Sequence, residues 1–216
     1  MSSHGDHPTR SRGRDPSLPA LLGDWLCLDF ANTVNDRTGK NPRDTLAGYA
    51  DLARWAWHAA LVTGTERDHL FAAAEARPTA ASSVFAGAIA LREAVYRVFV
   101  AIAAGANPAR ADLATIQQAH LTALGHAHLA RGTGSFEWVW DEPPALDRML
   151  WPIATSAVAL LTSDRLHRVK QCPGCDDCGW LFLDVSKNAT RRWCSMDDCG
   201  SRAKMRRQYA RRKGVV

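Results

Sequence analysis

The chain has 216 residues and a mass of 23.6 kDa, enough for one domain or one domain with a small appendage. Apolar residues make up 46% and charged residues 23%, which excludes a disordered chain, a collagen and a coiled-coil rod. The nearly uncharged stretch from Met149 to Leu161 is too short to span a membrane. The basic start lacks the apolar core of a secretory signal. We therefore expect a cytoplasmic protein without a membrane partner, whose cysteines are reduced.

Positive charge is concentrated near the carboxyl end. Residues 186–213 carry ten basic residues against Asp197 and Asp198, a net charge of +8, whereas the rest of the chain has a net charge of −3. This asymmetry favours a polyanionic partner, and nucleic acid is the commonest one in a cytoplasm. A solvated basic terminus without a specific partner is the alternative. The predicted nucleic-acid-binding residues are Lys187, Arg191, Arg192, Arg202, Lys204, Arg206, Arg207, Arg211, Arg212 and Lys213.

The pattern along the chain predicts a mainly α fold with a small β element. Residues 1–17 are polar and are predicted to be disordered, and the alternation in Leu26–Phe30 predicts a short strand. A second strand, residues 135–140, is expected to pair with it. Helices are predicted over residues 44–62 (with Asp44 as the N-cap), 65–76, 83–104, 108–130 and 145–170. The helical domain is therefore expected to cover residues 18–168, followed by a different module over residues 169–213.

Five of the six cysteines lie close together in that last module. They are Cys172, Cys175, Cys178, Cys194 and Cys199. Zinc takes four such ligands in a tetrahedron, and a redox dithiol would not explain the second pair. Cys178, Cys194 and Cys199 are three predicted ligands, and the fourth is Cys175 by knuckle spacing or Cys172 through a longer loop, with local geometry favouring Cys175. One structural Zn²⁺ is expected.

The segments between the cysteines predict a treble-clef-like finger. Gly179 lets the backbone curl behind the metal, and residues 180–184 and 190–193 are predicted to form a hairpin. A basic helix follows from Ser201. Trp180, Phe182 and Trp193 are expected to form the small core of the finger, and the alternative is that exposed rings stack on bases.

These residues resemble a known family. Trp180–Asp184, Arg191–Met196 and the tetrad Cys199-Gly200-Ser201-Arg202 are similar to the CGNR zinc-finger family, with Ser201 in place of the asparagine. The segment LCLDFANTVNDR, residues 26–37, is similar to the opening of the ABATE domain that precedes this finger. The resemblance implies a bacterial transcription regulator in which a helical domain is followed by a finger that binds DNA.

The helical domain offers a candidate ligand pocket. Asp29, Asn32, Thr33 and Arg37 cluster after the first predicted strand, with Trp25 nearby, and polar groups beside an aromatic ring can line a pocket. Alternatively, these side chains hydrogen-bond the loop backbone. We therefore expect this domain to dimerise the protein or to sense a small-molecule effector.

The sequence contains no signature of an enzyme. It has no glycine-rich phosphate loop or nucleophile elbow, and His126 and His128 are spaced poorly for joint metal binding on a helix. A four-cysteine zinc site has no open position for water, so it is structural. The predicted function is DNA binding in transcription regulation. The alternatives are RNA binding, or a protein-interaction finger coupled to a ligand-sensing domain.

Overall fold

The computed structural model describes residues 13–140, 145–174 and 177–213. Within them the protein is mainly helical, as predicted, with three two-stranded antiparallel hairpins. The helices are α1 (Leu26–Ala31), α2 (Tyr49–His58), α3 (Gly64–Ala76), α4 (Pro78–Ala103), α5 (Arg110–Leu124), α6 (Leu150–Leu161) and α7 (Ser201–Arg212). The strands are β1 (Val34–Asn35), β2 (Arg43–Asp44), β3 (Ala127–Arg131), β4 (Phe136–Trp140), β5 (Val169–Gln171) and β6 (Leu181–Leu183).

Local sequence signals explain where the long helices begin. The Thr63 hydroxyl accepts a hydrogen bond from the Glu66 backbone N–H, and the Glu66 carboxylate accepts one from the Thr63 N–H, which caps α3. Pro78 occupies the first position of α4, where its missing N–H costs no helical hydrogen bond. The 26-residue helix α4 then buries one face, including Leu91, Val98 and Phe99.

The short helix α1 lies at the centre of the core and packs against α4, α6 and β6. Leu28 and Phe30 are completely buried, and the Phe30 ring lies 5.0 Å from that of Trp55. Because this segment buries side chains all around, its alternation carried no information about a strand. The predicted strand over Leu26–Phe30 was therefore wrong. Ser156 of α6 anchors its start by accepting the Trp25 indole N–H and the Cys27 N–H.

The second predicted strand exists, but its partner is local. β4 pairs with β3, and Arg131 lies opposite Phe136 across a turn in which the Gly132 N–H bonds the Ser135 carbonyl. The predicted helix over residues 108–130 therefore ends early, at Leu124, and its last residues form β3. A local hairpin needs only a short loop, whereas pairing with residues 26–30 would have closed a very long one.

The last predicted helix of the helical domain is also shorter than expected. α6 ends at Leu161, where the Thr162 and Ser163 hydroxyls donate to the carbonyls of Val158 and Leu160. A 3-10 turn and β5 follow, so the polypeptide is already extended before the first cysteine of the cluster.

Two polar residues near the amino end have different roles from those predicted. Asp44 is not an N-cap: it lies in β2, and its carboxylate binds the buried guanidinium of Arg92 at 2.7 Å. Asp15 belongs to the segment predicted to be disordered, yet it is buried and binds Arg54 of α2. The rest of that prediction, residues 1–12, lies outside the described residues.

None of the described helices combines the length and the apolar character that crossing a bilayer requires.

Candidate metal centre and basic helix

Four buried cysteine sulfurs converge in the carboxyl-terminal part of the chain. The Sγ atoms of Cys172, Cys178, Cys194 and Cys199 all lie within 4.8 Å of one another. The Cys178–Cys194 and Cys194–Cys199 separations are both 3.7 Å. Zinc–sulfur bonds of about 2.3 Å give a tetrahedron whose sulfurs are about 3.8 Å apart. This geometry suits one structural Zn²⁺, held by four thiolates.

The structure brings Cys172 into the cluster, whereas the spacing had favoured Cys175. Cys172 directly follows β5, and its N–H donates to the Trp180 carbonyl at 2.7 Å, which fixes its position beside the first knuckle. Gly174 has a positive φ of 54° and approaches Cys178 closely, so the chain turns tightly between the two ligands. Cys175 itself lies outside the described residues.

Gly179 completes the knuckle in the manner predicted. Its φ of 65° is left-handed, and a Cβ at this position would lie 2.5 Å from the Thr38 side chain. The glycine is therefore required both for the turn and for the close approach of the loop between β1 and β2.

The hairpin of this region differs from the one predicted. β6 pairs with β5, with Leu181 opposite Gln171, and residues 190–193 form a loop. The loop is organised by Asp184, which accepts hydrogen bonds from Lys170 at 2.6 Å, from Ser186 and from the Arg191 backbone N–H. Burial opposes ionisation, but the Lys170 and Ser186 donors outweigh it and hold the pKa of Asp184 at about 2. The Arg191 N–H therefore bonds to this carboxylate instead of to a neighbouring strand.

The aromatic residues around the cluster form a core, as expected. Trp180 and Phe182 are buried against the four cysteines, and Trp193 is half-buried beside them. The Trp180 indole N–H donates to the Val34 carbonyl. Trp180 and Phe182 therefore belong to the core of the finger.

The basic helix α7 lies almost entirely in solvent. Ser195 caps the π-helical turn Met196–Gly200 that leads into it, and no residue of α7 itself is buried. The exposed cations of this helix and its C-cap are Lys204, Arg206, Arg207, Arg211, Arg212 and Lys213.

Three predicted nucleic-acid-binding residues have contrasting surroundings. Arg202 is half-buried, donates to the Cys199 sulfur at 3.5 Å and forms an ion pair with Asp198 at 2.9 Å. Lys187 and Arg192 are exposed in the loop between β6 and Cys194.

Arg191, by contrast, makes its contacts inside the protein. Its guanidinium is almost completely buried, pairs with Asp24 and lies over the Phe182 ring. It also donates to the carbonyls of Leu22 and Cys194. The charge pattern could not separate Arg191 from Arg192, because the two residues are adjacent and chemically identical.

The loop between β1 and β2 is hydrogen-bonded to the segment that carries the first zinc ligands. The Arg37 and Thr38 N–H groups donate to the carbonyls of Cys178 and Asp177 at 3.2 and 3.1 Å. The Tyr96 hydroxyl of α4 donates to the Gly179 carbonyl. Leu181 and Leu183 of β6 are part of the helical core. The division predicted at residue 168 thus does not separate the hydrophobic contacts, because β5 and β6 pack against α1 and α4.

The four residues of the candidate ligand pocket all contact protein groups. Asp29 accepts the Gly23 N–H at 2.7 Å, Asn32 bonds the Leu181 backbone, and the Thr33 hydroxyl donates to the Phe30 carbonyl. Arg37 pairs with Glu93 at 2.8 Å. These contacts favour the interpretation that the residues hold the loop in place.

A cavity of about 950 Å³ lies next to these residues, between the β1–β2 hairpin and the π-helical turn. Asp36, Arg43, Met196 and Arg202 are among the residues that line it, and none of the four predicted pocket residues does.

Two further residues considered in the sequence, Cys27 and His126, belong to the helical domain. Cys27 is completely buried in α1, and burial raises the pKa of its thiol well above the usual range. His126 is stacked on Trp151 at 4.2 Å, so it packs against α6.

The fold and the cluster together define a helical protein that carries a structural zinc finger. Comparison with protein families agrees with this class. Residues 24–164 match the ABATE family, described as "Putative stress-induced transcription regulator". Residues 168–212 match the CGNR zinc finger. The chain therefore belongs to the ABATE family and carries a CGNR zinc finger. No curated protein matches the chain.

Proposed function

We propose that the protein binds DNA through α7 and regulates transcription. The observation that carries the proposal is a 12-residue helix with no buried residue and no acidic residue. An isolated helix of this length is marginal in water. Contact with phosphates would neutralise its charge and stabilise it, and the membership of a regulator family supports the same function.

The metal centre fixes the position of the first turn of this helix. Cys199 lies in the π-helical turn that leads into α7, and the Arg202 guanidinium bonds its sulfur, so the first turn is tied to the zinc ligands. We therefore assign Arg202 to orienting the helix. The phosphate contacts are assigned to Lys204, Arg206, Arg207, Arg211, Arg212 and Lys213, with Lys187 and Arg192 from the preceding loop.

The test is a salt titration of binding to duplex DNA of mixed sequence. The variant Lys204→Gln/Arg207→Gln/Arg211→Gln should bind more weakly, and its slope of log K against log salt should be shallower by about 3, given about 0.9 per phosphate. The control Arg77→Gln/Arg110→Gln/Arg165→Gln removes the same charge from exposed positions of the body. Removal of residues 201–216 should abolish binding and retain zinc. Full affinity in that truncation would contradict the assignment.

RNA is a second candidate because Tyr209 on α7 is 60% exposed. Its ring lies beside Lys213 and is accessible for stacking on an unpaired base. Single-stranded RNA belongs in the same titration. If RNA is the partner, Tyr209→Ala should cost about 1–3 kcal/mol of RNA binding and leave duplex binding unchanged. Absence of binding to either nucleic acid near physiological salt would favour a protein-interaction finger.

A further inference from the structure

The β3–β4 hairpin presents an apolar face that nothing in the described residues covers. In an antiparallel hairpin, residues opposite each other and every second residue along a strand share a face. Leu129 lies opposite Trp138, and Phe136 and Trp140 lie two positions to either side of Trp138. Leu129, Phe136 and Trp138 are 58%, 64% and 52% exposed. We call Leu129, Phe136 and Trp138 the aromatic face.

The base of this hairpin is fixed in the fold. Trp140 packs on the buried Trp151 ring of α6 at 6.0 Å, and His126 is stacked on the same ring. The hairpin that carries the aromatic face is therefore held against α6 at its base. A two-stranded hairpin is marginal in water unless another layer covers its apolar side.

We propose that the aromatic face is a homodimer interface, in which the hairpins of two copies of this chain pack face to face. The existence of this dimer does not depend on the proposed function. Only its role rests on that function, and the role is to bring two basic helices to one DNA duplex.

Charge and area argue for a second copy as the occupant. Besides one histidine, the hairpin carries two charged residues: Arg131 shares the aromatic face at the tip, and Glu137 lies on the opposite face. The aromatic face is therefore apolar except at its tip, so two copies can place apolar side chains against each other along the rest of it. Two sheets of this kind pack readily, about 10 Å apart. More than half of each ring is accessible, and aromatic side chains bury about 150–250 Å² each, so Phe136 and Trp138 offer about 200–250 Å².

A standard dimer buries about 800 Å² on each partner, so the aromatic face would form the centre of such an interface. Leu121 and Leu124 are two further exposed apolar side chains, at the end of α5, which contacts β3. The structure therefore points to a dimer that dissociates on dilution. An obligate dimer would require a larger apolar area than these residues provide.

The test is sedimentation velocity of the full-length zinc-loaded protein between about 1 and about 100 μM, a range in which a dimer of moderate affinity dissociates. The wild type should shift from monomer to dimer. Phe136→Ser/Trp138→Ser should raise the dimer dissociation constant at least about tenfold. The control Val185→Ser, which removes an exposed apolar side chain outside the hairpin, should leave it unchanged.

A second measurement keeps the test valid if the double variant folds poorly. Hydrogen exchange of the wild type should show slower exchange in residues 127–140 at high than at low concentration. A wild type that stays monomeric at about 100 μM, or a dimer without protection of this segment, would overturn the proposal. A dimer that fails to bind nucleic acid would instead overturn the proposed function. Tight nucleic-acid binding by a strictly monomeric chain would overturn the dimer proposal and leave the proposed function in place.

Discussion

The side chain of Asn32 bonds both backbone polar groups of Leu181. Its Nδ2 donates to the Leu181 carbonyl and its Oδ1 accepts the Leu181 N–H, each at 2.8 Å and both buried. Asn32 thereby takes the place of a third strand beside β6. Asn32, the residue that follows α1, is thus one of the buried polar links between the helical core and the segment that carries the zinc ligands.

Replacing Asn32 should therefore destabilise the whole protein. Asn32→Ala leaves a buried N–H and a buried carbonyl without partners, and the expected loss is about 2–4 kcal/mol of the free energy of unfolding. Urea denaturation at fixed zinc measures it. The control Asn188→Ala alters an exposed asparagine of the finger loop and should change stability by less than about 0.5 kcal/mol. An equally small effect at Asn32 would contradict the coupling.

The fourth zinc ligand can be identified by two single substitutions. Because the Cys172 sulfur lies in the cluster, Cys172→Ser should lose bound zinc, measured as metal per chain after dialysis. Cys175→Ser should keep one zinc. Cys27→Ala removes a buried thiol far from the cluster in sequence and serves as the control. Zinc loss in Cys175→Ser together with retention in Cys172→Ser would reverse the assignment.

Arg191 and Arg192 should respond in opposite ways to the same substitution. Arg191→Gln removes the buried partner of Asp24, so it should cost about 3–5 kcal/mol of stability. Arg192→Gln should leave stability within about 0.5 kcal/mol. If Arg192 contacts a phosphate, its loss should lower the salt slope of DNA binding by about 0.9. Similar effects of the two substitutions on stability would contradict the distinction.

The partly buried carboxyl group of Asp29 should make stability depend on pH. Burial raises its pKa from 3.8 to about 7, despite the hydrogen bond from Gly23. The folded state therefore holds a proton that the unfolded state releases above about pH 4, so this group weakens folding progressively from there up to pH 7.

Asp29→Asn removes that titration. The stability of this variant relative to the wild type should rise by about 1 kcal/mol per pH unit between about pH 5 and pH 7, and then stay constant. Urea denaturation of both proteins at each pH cancels contributions from other groups, including the zinc thiolates. A difference that is independent of pH would contradict the raised pKa.

Chemistry carried by residue type and spacing could be read from the sequence. The cysteine spacing predicted a structural zinc site, Gly179 predicted the knuckle, and the run of cations after Ser201 predicted an exposed basic helix. Helix α3 carries its own capping box close to its predicted start, whereas α4 begins at Pro78, earlier than the predicted start at residue 83. The knuckle, the basic helix and the cap of α3 depend on neighbours within a few residues, and the zinc site depends on a ligand chemistry that residue type alone reveals.

Long-range packing decided the rest. Leu26–Phe30 is helical because it is surrounded by α4, α6 and β6. β6 pairs with β5 because Asp184 and Lys170 hold the residues after β6 in a loop. Whether an arginine is buried or exposed, as with Arg191 and Arg192, depends on the acidic residue that reaches it, and Asp24 is 167 positions away. Which cysteine becomes the fourth ligand likewise depends on where β5 ends in space. Pairings of this kind are set by the free energy of the whole core, which no short stretch of the chain contains.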